Sequence, residues 1–250
     1  MRPIVVLPTY NERENLPLIV QELLVIPDLR ILVVDDNSPD GTGAIADGLA
    51  RESGGRLSVL HRRGPRGLGR AYLDGMQHAL KATDADVICQ MDADLSHQPR
   101  ELPRLLSKAR VADLVIGSRY VDGGRIVNWP RRRALLSKCA NRYIRMVTGV
   151  SVNDCTGGFR CWRREVLQEL PFHRITSDGY AFIVELMWEA VQAGYRVVEV
   201  PITFVERRHG ASKLNRSVLL ESVLLPWRLA LRSVAAQAGV ERVAKPRLAK

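Results

Sequence analysis

The chain has 250 residues, 46% hydrophobic and 26% charged, an ordinary globular composition with enough apolar mass for a real core. Its net charge of +10 favours an anionic partner, whether nucleic acid, a phosphorylated ligand or an acidic lipid surface, without choosing among them. No run reaches the roughly 18 uninterrupted apolar residues of a spanning helix, and MRPIVVLPTYNE, broken at Pro8 and Asn11, is no signal peptide, so the chain is expected to be made in the cytoplasm and to be soluble or peripheral.

In chain order, IVVL (4–7) reads as a buried strand leading into PTYNERENL and a helix over Asn15–Val25. ILVV (31–34) is a second strand, followed by DDNSPDGT and a helix over Thr42–Glu52. LSVL (57–60) is a third, followed by RRGPRGLGRAYLDG and a helix over Leu68–Lys81. VICQM (87–91) runs into MDADLSH and a helix over Arg100–Arg110, and LVIG (114–117) is a fifth strand. This alternation of near-continuous apolar strands with helices implies a mostly parallel α/β sheet covered on both faces, with ligands beyond the carboxyl ends of the strands. Past residue 120 the alternation stops. A loop and a basic helix cover GGRIVNWPRRRALLSKCANRYIRMVTG, and NDCTGGFRCWRREVL reads as a turn into another helix. DGYAFIVELMWEAVQAGY is a helix and RVVEVPITFVER a strand. The four cysteines form no CxxC pair and have no histidines at zinc spacing, which argues against a thiolate metal site and fits a reducing compartment.

Three acidic clusters follow strand ends, and adjacent strands would gather them at one rim. Carboxylates crowded together repel unless a cation sits among them. Hard divalent ions take one or two carboxylates plus phosphate oxygens, so Asp92 and Asp94 suggest a metal holding a diphosphate. Asp40, within SPDGT, reads as turn chemistry instead. The glycines Gly64, Gly67 and Gly69 lack the full dinucleotide fingerprint; they suit a phosphate-approaching loop or a plain connection equally.

Read together, LPTYNERENL, VVDDNSPDGT, GLGRAYLDGM, MDADLSHQP, GSRY and FVERRHGASKL resemble, in that order, the family 2 inverting glycosyltransferases, and more narrowly the dolichol- or polyprenol-phosphate mannose synthases. The resemblance spans roughly residues 3–215. It implies a fold of the glycosyltransferase-A type, a Rossmann-like mixed, mostly parallel sheet flanked by helices. The catalytic domain would cover 1–215, with a C-terminal amphipathic helix and basic tail over 216–250.

The resemblance implies a role for particular residues. Pro8, Tyr10, Glu12, Val34 and Asp36 match the nucleobase and ribose pocket. Asp92, Ala93 and Asp94 match the motif that holds Mg²⁺ or Mn²⁺ and the diphosphate. Where some relatives have Gln two positions later, this chain has Ser96. Arg119 matches a position beside donor and acceptor phosphates, and Arg207 and Lys213 match a loop that closes on the diphosphate. Arg133 and Ser137, four apart on one helical face, match the acceptor-phosphate site. Asp154, within NDCTGGFR, matches a motif near the active site; it and Asp178 are the obvious side chains to test as a base.

The activity so implied is transfer of mannose from GDP-mannose to a polyprenyl monophosphate with inversion. Glucose from UDP-glucose is the alternative on the same fold. A nucleic-acid-binding protein suits the charge, but no such motif is present and few aromatics interleave with the arginines. A non-catalytic membrane-associated subunit would not need the acidic motifs. Arg131 and Arg132 suit anionic headgroups or a solvated helix face. RSVLLESVLLPWRLALRSV is amphipathic, with Ser217, Glu221, Arg228 and Arg232 on one face; it suits a membrane interface or packing on the domain, with a kink at Pro226. The expected location is the cytoplasmic face of a membrane, held peripherally, with a separate anchoring protein as a further candidate partner.

Overall fold

The computed structural model describes residues 1–177, 179, 181–206 and 216–237, with side chains of the last helix described from 223 to 234. The strands in chain order are β1 (Pro3–Thr9), β2 (Arg30–Asp35), β3 (Leu57–His61), β4 (Val87–Gln90), β5 (Leu114–Ser118), β6 (Arg125–Val127), β7 (Arg160–Arg163), β8 (Val197–Pro201) and β9 (Thr203–Val205). The helices are α1 (Leu16–Leu24), α2 (Thr42–Glu52), α3 (Leu68–Ala82), α4 (Leu102–Lys108), α5 (Arg131–Thr148), α6 (Arg164–Glu169), α7 (Ala181–Gln192) and α8 (Arg216–Gln237). The main sheet runs β3-β2-β1-β4-β7-β5-β8, and β6 and β9 form a separate parallel pair. Every pairing in the main sheet is parallel except those of β7, which runs antiparallel to both neighbours.

Side-chain alternation along the strands builds two cores. Ile4, Val6, Leu32 and Val34 face α3 and α7; Val5, Leu7, Ile31 and Val33 face α1 and α4. Helix α3 lies very close to the sheet at Gly75, where a Cβ would fall 2.5 Å from Val6 Cγ1 and 2.7 Å from Val34 Cγ2.

Two expectations from sequence need correction. RCWR is not part of a turn: it is β7, inserted between β4 and β5. Four residues bounded by arginines carry no periodic signal, and tertiary contacts make the strand. Trp162 Nε1 donates to Gln90 Oε1 (2.7 Å). Arg160, wholly buried, donates to the carbonyls of Gly157 (2.8 Å), Ile183 (2.6 Å) and Cys155 (2.7 Å), and burial pulls its pKa down to about 10. The expected strand over RVVEVPITFVER divides at Ile202: its N–H still donates to Ser118 O of β5 (3.0 Å), but its carbonyl accepts from Arg125 N (2.9 Å), and β9 leaves the main sheet to pair with β6.

Helix α8 runs on through Pro226. Leu225 and Leu229 are buried in the core shared with α7, so this stretch packs on the domain, and Leu224, Trp227 and Leu231 are exposed. Among the described residues no helix is long and apolar enough to cross a membrane.

Candidate active site

The order β2-β1-β4 brings the three acidic turns side by side at the carboxyl rim. Each turn holds a non-glycine residue in the left-handed region: Asn11 (φ 57°), Asn37 (φ 56°) and Leu95 (φ 61°). Such backbone strain is tolerated where surrounding bonds over-determine it, and it gathers at functional sites. At the second turn Asp35 accepts from Ser38 Oγ (2.6 Å). Asp40 does the turn work expected of it, accepting from Thr42 N (3.0 Å) and Thr42 Oγ1 (2.5 Å).

At the third turn, Asp92 Oδ1 accepts from Tyr72 Oη of α3 (2.9 Å). Asp94 Oδ1 accepts from both the N–H (3.0 Å) and the Oγ (2.6 Å) of Ser96. Ser96 thus braces Asp94. The Asp92 side chain is 22% exposed, and Asp94 is 9% exposed. Among the described residues no three His, Cys, Asp or Glu side chains converge as a metal-binding group. Two hard carboxylates in one turn fit a divalent cation whose other ligands are phosphate oxygens and water.

Behind this turn, His97 Nδ1 accepts from the Asp92 N–H (3.1 Å), which places the ring proton on Nε2. The ring stacks on Phe159 at 5.2 Å and meets the edge of Phe204 at 5.3 Å. Burial pushes the imidazole pKa down, against the pull of Asp92 and Asp94, and a cation at the aspartates would lower it further. Just below the ordinary imidazole value of about 6.5 the unfolded chain therefore binds more protons than the folded one, so this group withdraws stability as pH falls through that value. Long-range ¹H–¹⁵N spectra at about pH 6.5 should show His97 as the neutral Nε2–H tautomer; a charged imidazolium there would contradict the geometry.

On the nucleotide side, the Tyr10 hydroxyl accepts from Arg66 Nη1 (2.7 Å), and the Arg66 guanidinium lies 4.8 Å from the Tyr10 ring centroid. Glu12 Oε2 accepts from Asn15 Nδ2 (2.7 Å). Asp36 accepts from Gly67 N (2.9 Å) and pairs with Arg62, so it ties the glycine loop to the rim. Pro8 is buried in β1 opposite Val34. Val34 is fully buried with its side chain against α3, and Ala93 is buried between the two aspartates.

The remaining cluster is cationic. Arg119 is held bidentately by Asp154, Nε to Oδ2 (2.8 Å) and Nη2 to Oδ1 (2.7 Å), and donates again from Nη2 to Thr156 Oγ1 (2.9 Å). Its pKa is raised because Asp154 outweighs the opposing effect of burial. The guanidinium lies over the rings of Tyr120 (5.3 Å), Trp129 (5.6 Å) and Phe204 (5.3 Å). Phe204 therefore links the Arg119 cluster to His97 and the aspartate turn. Arg133 lies 4.0 Å from the Trp129 ring centroid and pairs with Glu206. Ser137, half-buried on α5, accepts from Asn141 Nδ2 through its carbonyl (2.9 Å). Arg207, Lys213 and Asp178 lie outside the described residues.

Sequence reasoning did not find Tyr72, His97, Trp129 or Glu206. Tyr72, His97 and Glu206 lay inside quoted motifs, the only signal available, and Trp129 had none beyond its place beside the basic helix.

The model of the family described as glycosyl transferase family 2 matches residues 4–171. The chain is 51% identical over 224 residues to the polyprenol monophosphomannose synthase of Mycolicibacterium smegmatis, covering 89% of this chain and 84% of that protein. It is 46% identical over 235 residues to the undecaprenyl-phosphate mannosyltransferase of Micrococcus luteus, covering 93% and 96%. Among solved structures, glucosyl-3-phosphoglycerate synthase from Mycobacterium tuberculosis, in complex with Mn²⁺ and uridine-diphosphate-glucose, superposes with a TM-score of 0.62 at 21% identity. That match covers 96% of this chain and 80% of the other and shows a shared glycosyltransferase fold.

Proposed function

The chain belongs to glycosyl transferase family 2 and is a glycosyltransferase, and from that premise we propose that it moves mannose from GDP-mannose to a polyprenyl monophosphate with inversion. The products are GDP and polyprenyl-phosphate-mannose. The observation that carries this reading is the contact between two unlike sites: the Asp92/Asp94 turn and the arginine cluster meet through Phe204 and through the bond from Val205 N to Ser96 O (3.1 Å). One suits a cation-bound diphosphate and the other a second phosphate.

Asp92 and Asp94 would hold Mg²⁺ or Mn²⁺, which supplies positive charge against the leaving diphosphate. Tyr10, Glu12 and Asp36 bind the nucleoside, with Pro8 and Val34 shaping the backbone beneath it. Arg207 and Lys213 would add positive charge against the diphosphate. Arg119, Arg133 and Ser137 orient the acceptor phosphate for attack on the anomeric carbon from the face opposite GDP. A phosphate monoester has its second pKa near about 6, so the nucleophile is already largely dianionic at neutral pH and needs no side-chain base. Asp154 is unsuited to that role, since both its oxygens serve Arg119. A lipid-linked acceptor calls for a membrane surface, in this reading the cytoplasmic face, and the exposed Leu135 and Leu136 of α5 and Trp227 and Leu231 of α8 suit an interface, with or without an anchoring protein.

The test is transfer of labelled mannose from GDP-mannose into an organic-extractable polyprenyl phosphate. Transfer should require a divalent ion and stop on chelation. Transfer from UDP-glucose alone would overturn the sugar; transfer undiminished by chelation would overturn the cation.

A further inference from the structure

The two arginines of the cationic cluster are held differently. The side chains of Arg119 and Asp154 are 6% and 0% exposed, a pair locked in the interior. Those of Arg133 and Glu206 are 33% and 29% exposed. Arg133 Nη1 donates to both Glu206 oxygens, at 2.7 and 2.6 Å. We propose that Glu206 is an internal placeholder for the acceptor phosphate: its carboxylate occupies Arg133 until a phosphate monoester displaces it. This inference rests on the acceptor role proposed above for Arg133.

A carboxylate and a phosphate satisfy the same guanidinium donors, but the phosphate brings about −1.5 to −2 charges and three acceptor oxygens. It can therefore replace the carboxylate and satisfy further donors at once. Such donors stand nearby. Among the described residues, neither the buried Tyr120 Oη nor the buried Trp129 Nε1 has a hydrogen-bond partner. The Ser137 hydroxyl is close enough to oppose the upward pull of burial on the Tyr120 phenol, without making a well-formed bond to it. Buried donors normally find partners, and two orphans in one cluster mark a place where a ligand completes the bonding.

The exchange can proceed by rotation of the Glu206 side chain about a fixed main chain. Glu206 N–H is bonded to Val127 O (3.1 Å), and Val205 N–H to Ser96 O (3.1 Å), so the main chain at this point is fixed. Ser96 in turn braces Asp94. The placeholder is thus hung from the same turn as the candidate cation site, which keeps Arg133 in place for the acceptor while the cluster is empty. The arrangement also keeps other anions off Arg133, because a weak monoanion must compete with an intramolecular carboxylate.

The test uses the full chain with Glu206→Gln, Glu206→Asp and Arg133→Ala, and farnesyl phosphate as a soluble probe in calorimetry. Glu206→Gln should bind the probe about three- to tenfold more tightly and lower KM for polyprenyl phosphate in proportion. GDP affinity should stay within about twofold, which a general change in electrostatic field would not leave alone. Glu206→Asp, which keeps the charge but shortens the reach, should fall between, and it serves if the glutamine variant does not fold. Unchanged or weaker probe binding in the Glu206 variants, with Arg133→Ala weakened, overturns the placeholder. Equal binding, or none, by parent and Arg133→Ala overturns the acceptor role of Arg133 and the placeholder with it.

Discussion

Asp94→Asn is expected to lower transfer by about 10²–10³-fold, the loss typical of removing one electrostatic stabiliser of the transition state. Its melting temperature should stay within a few degrees of the parent's. The two effects separate because Asp94 has two jobs. As an acceptor, Oδ1 takes the Ser96 N–H and Oγ–H and so holds the turn in which Leu95 adopts φ 61°. As a charge, it stands two residues from Asp92 and repels it. An asparagine oxygen can accept both Ser96 bonds, so the turn survives; the negative charge is lost, and with it the repulsion and the attraction for a cation. Asp94→Ala removes both jobs and should add a stability loss of about 1 kcal/mol for each bond broken. Steady-state rates at saturating Mn²⁺ beside thermal melts would read the two out together. An asparagine variant that retains near-parental transfer would take Asp94 out of the site.

Asp154→Asn should act in the opposite sense, with stability the first casualty. The carboxylate is wholly buried and meets Arg119 at three points: the main-chain N–H and Nε on Oδ2 (2.9 and 2.8 Å) and Nη2 on Oδ1 (2.7 Å). Asparagine keeps one acceptor, turns an amide donor towards a guanidinium donor, and leaves a buried positive charge uncompensated. Breaking a buried pair from one side costs about 3–5 kcal/mol. For a chain of this size that is a fall in melting temperature on the order of 10 °C. Transfer should fall as well if Arg119 serves the phosphates as proposed, because it loses the partner that orients it, but high pH should not restore it, as it would if Asp154 were a base. The double variant Arg119→Met/Asp154→Leu separates the roles further. Apolar replacement of a buried pair is often neutral or stabilising, so the double variant should recover much of the melting temperature and none of the activity. A double variant active at parental levels would show that the pair is architectural only.

The parts of the molecule legible from sequence are those written in neighbouring residues. Apolar runs of four or five residues marked β1 to β5, and helical spacing marked α1 to α4, to within a few residues. The acidic turn after each of β1, β2 and β4 is equally local, but the placing of β4 beside β1 is not, since the chain returns from the edge strand β3 past two strands to reach it. The local turn let Asp92 and Asp94 be singled out before any coordinates. Val34 shows where local reading stops. Strand parity turns its side chain into the core, a matter of register and not of composition.

What only the tertiary structure decided is how distant segments pair. The insertion of β7 between β4 and β5 depends on a tryptophan reaching Gln90, 72 residues away, and on a buried arginine that finds carbonyls in place of water. Arg119 reaches Asp154 across 35 residues, and Arg133 reaches Glu206 across 73. No periodicity encodes such partners, because each pairing is set by how segments far apart in the chain pack together. The sequence by itself therefore determined β1 to β5, α1 to α4, the acidic turns and the chemical class; the packed fold decided how the strands are ordered and which charges face one another, and so which are locked and which are exposed enough to exchange.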